Sequence, residues 1–75
     1  MTQKTYYPKT VLTQWCEEKR ARRVPFREMC GMIRGSTGRS TVKQITHRNG
    51  DETTVTDYTW PNGDWLRVTE IYPAQ

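Results

Sequence analysis

Residues 19 to 29 read KRARRVPFREM, and five of these eleven side chains are basic. The wider stretch 19 to 39 holds Lys19, Arg20, Arg22, Arg23, Arg27, Arg34 and Arg39 against one acid, Glu28, a local balance of +6 where the remainder of the chain totals −2. Six of the seven are arginines. A guanidinium is a planar fork that meets phosphate or guanine with two parallel hydrogen bonds, so the chemistry on offer is recognition of a polyanion. The bland alternative is a well-solvated corner, with Glu18 pairing to Arg22 four residues on.

Few other residues offer chemistry. Cys16 and Cys30 are too few for the disulfide framework of a small secreted domain. With His47 as the single histidine and no CxxC pair, the ligands of a structural zinc site are missing too. Both cysteines are expected to pack as small hydrophobes on helical stripes. His47 has no nucleophile partner at a telling spacing, and RGSTGRS lacks the GxxxxGK[ST] spacing of a phosphate-cradling loop. The expectation is a non-enzyme without metal, cofactor or small-molecule substrate.

The elements that must carry these residues are small. The chain has 75 residues and a net charge of +4, without a repeat or a linker-like change of composition, which suggests a single domain over 1–75. Leu, Ile, Val and Phe supply 11 residues, so eight aromatics have to bulk out a thin core. No apolar run spans a bilayer and no charged-then-apolar leader opens the chain, which makes a cytoplasmic location the expectation.

After an N-terminal arm (1–9), Val11, Leu12, Trp15 and Cys16 recur at helical spacing behind Thr10, a potential N-cap, and predict a helix over about 10 to 21. Val24 and Pro25 interrupt it. Phe26, Met29, Cys30 and Ile33 mark a second helix over about 25 to 34, stopped by Gly35, with 35–40 as a basic connector. Over 41–72 the residue types change to Thr, Val and aromatics in three strand-like runs joined by HRNGDE and WPNGDW. Both connections suit three-residue hairpin loops, Arg48-Asn49-Gly50 and Pro61-Asn62-Gly63, with glycine in the left-handed region.

Those loops set a register. Val42 falls opposite Thr56, which faces Val68, while Tyr58 faces Leu66, and this is the better core face. The other face aligns Ile45, Thr53 and Ile71, then Lys43, Val55 and Thr69, then Thr41, Asp57 and Arg67, and it also carries Trp65. The expected architecture is α+β, two short N-terminal helices packed on a three-stranded antiparallel meander in the order ααβββ. The second face is either covered by the arm with Tyr6 and Tyr7 or is a partner surface built from Lys43, Ile45, Val55, Trp65, Arg67 and Ile71.

The stretch VLTQWCEEKRARRVPFREM resembles the start of phage and mobile-element excisionases, small winged-helix proteins with a Trp-bearing first helix, an arginine-rich turn and a second helix before a β-hairpin wing. The resemblance covers residues 10 to 34. It implies a winged-helix-like fold whose second helix enters the major groove with Arg23, Arg27 and Arg34. Two functions follow as expectations. The first is a DNA-binding regulator of mobile-element origin that grips nucleic acid, duplex DNA by preference, with Lys19, Arg20, Arg22, Arg23, Arg27, Arg34 and Arg39. The second is an inhibitor or adaptor that engages a host protein through the sheet face around Trp65.

Overall fold

A computed structural model describes residues 7–74 of the chain. It contains one short helix and a five-stranded antiparallel sheet, which overturns the expected ααβββ, winged-helix-like arrangement. The elements are β1 (Thr10–Trp15), β2 (Arg22–Arg23), α1 (Phe26–Met32), β3 (Gly38–Thr46), β4 (Glu52–Thr59) and β5 (Trp65–Tyr72), in the sheet order β2-β1-β5-β4-β3.

The expected first helix is the main correction, because the segment at its start is β1. TVLTQW fits both periods: Val11, Leu12 and Trp15 lie on one helical stripe, and Val11, Thr13 and Trp15 lie on one side of a strand. Three of its six residues are β-branched, which stiffens the side chains and favours a pleated surface. Pairing decides between them. β1 pairs with six of the eight residues of β5, from Thr10 opposite Ile71 to Trp15 opposite Leu66. The chain then turns, with the Glu18 amide donating to the Trp15 carbonyl at 2.9 Å and the Glu18 carboxylate accepting from the Trp15 amide at 2.9 Å. It returns as β2, which sets Leu12 opposite Arg23 and Thr13 opposite Arg22.

The expected second helix does form as α1, one turn shorter in practice than the stripe suggests. Pro25 stands at its N-cap with extended angles, φ −64° and ψ 149°, and Gly35 follows its end at φ 80°. Met29 is buried, while Phe26, Met32 and Ile33 pack partly buried against the same cluster. Cys30, expected on that stripe, is exposed, since it lies a residue beyond Met29 and points about 100° away. Cys16 is only partly buried, beside the carboxylates of Glu17 and Asp64.

The three C-terminal strands form the expected meander as three of the five strands of a larger sheet, and β3 begins at Gly38, inside the predicted basic connector. Both turns have the three-residue form. The His47 amide bonds the Asp51 carbonyl at 2.7 Å and the Trp60 amide bonds the Asp64 carbonyl at 3.0 Å, with Gly50 and Gly63 at φ 95° and 96°. Each Asn closes its turn by accepting from the amide two residues on, Asn49 from Asp51 and Asn62 from Asp64, both at 3.0 Å. Between β4 and β5 the register pairs Thr56 with Val68 and Tyr58 with Leu66. Between β3 and β4 it holds for Lys43 and Ile45, but a bulge at Val42 shifts the upstream residues: Thr41, not Val42, faces Thr56, and Ser40, not Thr41, faces Asp57. Val42 is left half exposed.

The core lies between α1 and one side of β1 and β5, where Val11, Val24, Met29, Leu66 and Val68 are buried. Trp15 and Trp60 close its end with ring centroids 5.2 Å apart. Tyr7 packs edge-on against Phe26 at 5.2 Å, so this residue of the N-terminal arm goes to the helix side; Tyr6 lies outside the described residues. Thr13 is fully buried on the core side, and its Oγ1 has no hydrogen-bond partner among the described residues.

Two stability predictions follow from these positions. Leu66→Ala removes a fully buried side chain and should cost about 2 to 5 kcal/mol, whereas Trp65→Ala, on the opposite side of β5, should lower the melting temperature much less; thermal denaturation reads both. Thr13→Val replaces an unsatisfied hydroxyl with a methyl of similar volume and should raise stability by about 1 kcal/mol or more, measured as a higher denaturant midpoint at unchanged m-value.

Candidate functional site

The seven basic residues expected to form one grip are all exposed, yet the fold divides them. Lys19 and Arg20 stand in the loop between β1 and β2. In β2, Arg22 lies opposite Thr13 and so emerges on the helix side, while Arg23 lies opposite Leu12 and emerges on the other. Arg27 is on α1, Arg34 just beyond it, and Arg39 is in β3 opposite Tyr58, on the helix side and three strands away from β1. Lys19, Arg20, Arg22, Arg23 and Arg27 therefore remain together along the β2 edge, whereas Arg34 and Arg39 leave the group. Of Arg23, Arg27 and Arg34, expected together on a recognition helix, only Arg27 is on α1, because Arg23 is in β2 and the helix ends at Met32 before Arg34. Arg22 is tied to Glu18 at 3.6 Å; the other six make no ion pair among the described residues.

The face away from α1 gathers a different set. Crossing the strands, one row reads Arg23, Leu12, Thr69, Val55 and Lys43. The next reads Thr10, Ile71, Thr53 and Ile45, and a third reads Gln14, Arg67, Asp57 and Ser40. Trp65 lies beyond the third row, opposite Thr59. All six residues expected on a partner face, Lys43, Ile45, Val55, Trp65, Arg67 and Ile71, share this side. Leu12 and Arg23 join them unforeseen. The signal for Leu12 was the two-residue alternation within TVLTQW, and it was masked by an equally good helical fit.

The charges on this face are sorted. Its two carboxylates among the described residues are both spent: Asp51, opposite His47 at the hairpin end, on Lys9, and Asp57 on Arg67, which donates from Nε and Nη2 at 2.9 and 3.0 Å. That bidentate bond raises the Arg67 pKa, and the guanidinium lies 5.7 Å from the Trp65 ring centroid, so the group is held rigidly as a cation against an aromatic plane. Glu52 and Glu70 fall on the helix side, where Glu70 accepts from the Tyr72 hydroxyl at 2.9 Å; burial, then this bond, pushes the Tyr72 phenol up to about 12. Arg23 and Lys43 thus stand at the two ends of a row through Leu12, Thr69 and Val55, on a face whose carboxylates are already paired with other cations.

At the hairpin tip one carboxylate holds three segments. Asp51 accepts from the Lys9 ammonium of the N-terminal arm, from the Ala74 amide of the C-terminal tail at 2.9 Å and from Asn49 Nδ2 at 3.3 Å. Its pKa is lowered, chiefly by the Lys9 hydrogen bond and then by the Ala74 amide, with burial opposing. Two shallow hollows meet at Lys9. One is lined by His47, Arg48, Asn49, Asp51 and Ile71, the other by Thr10, Arg23, Val24, Pro25 and Phe26. His47 Nε2 lies 2.6 Å from Thr53 Oγ1, which places the ring on the open face. Among the described residues no group of three His, Cys, Asp or Glu is placed to hold a metal ion, and no helix is long and apolar enough to cross a membrane.

No protein-family model, curated protein or solved structure matches this chain.

The Asp51 junction has a pH signature. Because its folded pKa lies below the ordinary 3.8, its contribution is present above that value and is lost as pH falls through the depressed one. The Ala74 amide resonance should therefore titrate with a midpoint below 3.8, and Lys9→Met should move that midpoint upward. A midpoint unaffected by Lys9→Met would show that the arm is not held by this carboxylate.

Proposed function

We propose that this protein binds nucleic acid, contacting backbone phosphates along its β2 edge and continuing onto the open sheet face. The observation that carries this is the position of Arg23. It belongs both to the cationic strip Lys19, Arg20, Arg22, Arg23 and Arg27 and to the row that ends at Lys43, so strip and face form one continuous surface. Four of the five strip residues make no ion pair among the described residues, so their charge is available to a phosphate without first breaking a bond. A phosphate chain laid along the edge meets point charges from the loop, the strand and the first turn of α1. The flat face beside it offers Trp65, with its plane already faced by Arg67, as a surface for a base or sugar.

This contact is made by a sheet and its edge rather than by a helix in the major groove. Its affinity comes mainly from counterion release, which is insensitive to sequence. A regulatory role of mobile-element type remains part of the proposal through the small size and the basic strip alone.

A protein partner is the second reading. Leu12, Val55, Ile45 and Ile71 give the open face an apolar middle that phosphate contacts alone do not require, and an acidic protein surface would match its cationic ends.

Salt dependence separates them. Random duplex DNA should bind with a log-log salt slope near −0.9 per phosphate contacted, and Arg20→Gln, Arg23→Gln and Arg27→Gln together should flatten it by up to about 3, while Leu12→Ala with Val55→Ala leaves the slope in place. Equal slopes for the triple variant and the parent would end the nucleic-acid reading. Loss of a protein partner by the Leu12 and Val55 changes, with DNA affinity weak throughout, would establish the second.

A further inference from the structure

The two edges of the sheet are unlike. β2 is two residues long, and Val24 and Pro25 follow it, the second of which has no amide to offer a neighbour. β3 is nine residues long, is exposed at all positions but Gly38 and Ile45, and has no proline. Its inner side pairs with β4; among the described residues nothing pairs with its outer side. Since the His47 amide points to Asp51 across the hairpin, the two-residue alternation turns the Ile45 and Lys43 amides toward β4 and the Gln44 and Thr46 amides outward. A row of unpaired donors and acceptors of this length is a template for another strand.

Charge restricts what strand it takes. From Gly38 to Thr46 there are two cations, Arg39 and Lys43, and no acid. A second copy added antiparallel to this edge brings two more cations and no acid, so like charges accumulate along the ladder without a counter-charge. An acidic segment reverses that sign. The bulge at Val42 then sets its spacing: on β4 the residues opposite Lys43 and Arg39 are Val55 and Tyr58, three apart, and they lie on opposite sides of the sheet. A regular strand on the outer edge meets the two cations at the same interval.

We propose that β3 is a strand-addition site for an extended acidic segment of a partner protein, with carboxylates at positions i and i+3 opposite Lys43 and Arg39. The backbone ladder through Gln44 and Thr46 supplies affinity that any extended segment shares, and the two charge pairs choose the acidic one. The half-exposed Val42 at the bulge gives the added strand an apolar neighbour between them. Lys43 also ends the open-face row of the proposed nucleic-acid surface, but Arg39 and the outward Gln44 and Thr46 amides lie on the far edge from the β2 strip, so the peptide test is decided independently of DNA binding.

The probe is a synthetic Thr/Val peptide about as long as β3, with Glu at i and i+3, added to the full chain labelled with ¹⁵N. The expected result is perturbation and slowed exchange of the Gln44 and Thr46 amides, with the corresponding Lys peptide binding about tenfold more weakly. Arg39→Glu with Lys43→Glu should invert that preference. Gln44→Pro, which removes an outward amide and leaves the β4 ladder, should abolish binding at an unchanged melting temperature; if that variant does not fold, the charge reversal alone decides. Four results overturn the proposal: no binding at millimolar peptide, shifts confined to the open sheet face, equal affinity for the Glu and Lys peptides, or protection of the β3 amides that rises with protein concentration in the absence of peptide, which would make the occupant a second copy.

Discussion

The pairing of β1 with β5 is the constraint on which the rest of this molecule depends. Its ladder runs from the Lys9 amide on the Ile71 carbonyl at 2.8 Å to the Cys16 amide on the Trp65 carbonyl at 3.1 Å, so both ends of β1 are held as well as its middle. Without it the C-terminal meander is a three-stranded sheet with β5 as a bare edge, and Leu66 and Val68 lack a neighbour on one side. With it, Val11 and Thr13 complete the layer beneath α1, and Met29 and Val24 have a surface to close over. A core of five buried apolar residues has little to spare, and the fold retains the unsatisfied Thr13 hydroxyl within it.

That pairing also decides which side of the protein each charge occupies. Once β1 lies beside β5, β2 is forced to its outer edge, and the alternation of a strand sends Arg22 and Arg23 to opposite faces. The arginine-rich stretch becomes an edge that touches both sides of the sheet. The open face receives Arg23 at one end and Lys43 at the other, with its acids Asp57 and Asp51 already paired with Arg67 and Lys9. A polyanion approaching this surface meets cations without having to displace carboxylates.

Repeated local chemistry takes different roles under different neighbours. The two Asn-Gly-Asp turns have the same backbone form and the same Asn-to-amide bond. At Asp51 the arm and the tail arrive from two other parts of the chain, and the carboxylate becomes a junction with a depressed pKa. At Asp64 the neighbour is the Cys16 thiol at 3.8 Å, a weak contact, and the turn stays a simple connection.

By itself the sequence determined what short-range physics controls. The two turns were legible because left-handed glycine and Asn side-chain closure act within four residues, and the β4–β5 register followed from turn length. The Asp57–Arg67 pair and the common side of Lys43, Ile45, Val55, Trp65, Arg67 and Ile71 followed in turn. The start and stop of α1 at Pro25 and Gly35 were local too. Tertiary structure decided the rest. TVLTQW carries both a helical and a strand period, and only the free edge of β5, more than fifty residues away in sequence, selects the strand. The division of the arginines between two faces depends on the same long-range placement, and the bulge at Val42 on how β3 pairs with β4. Neither period nor composition encodes which neighbour a strand will find, because that choice rests on hydrogen bonds and burial shared between segments that the sequence keeps apart.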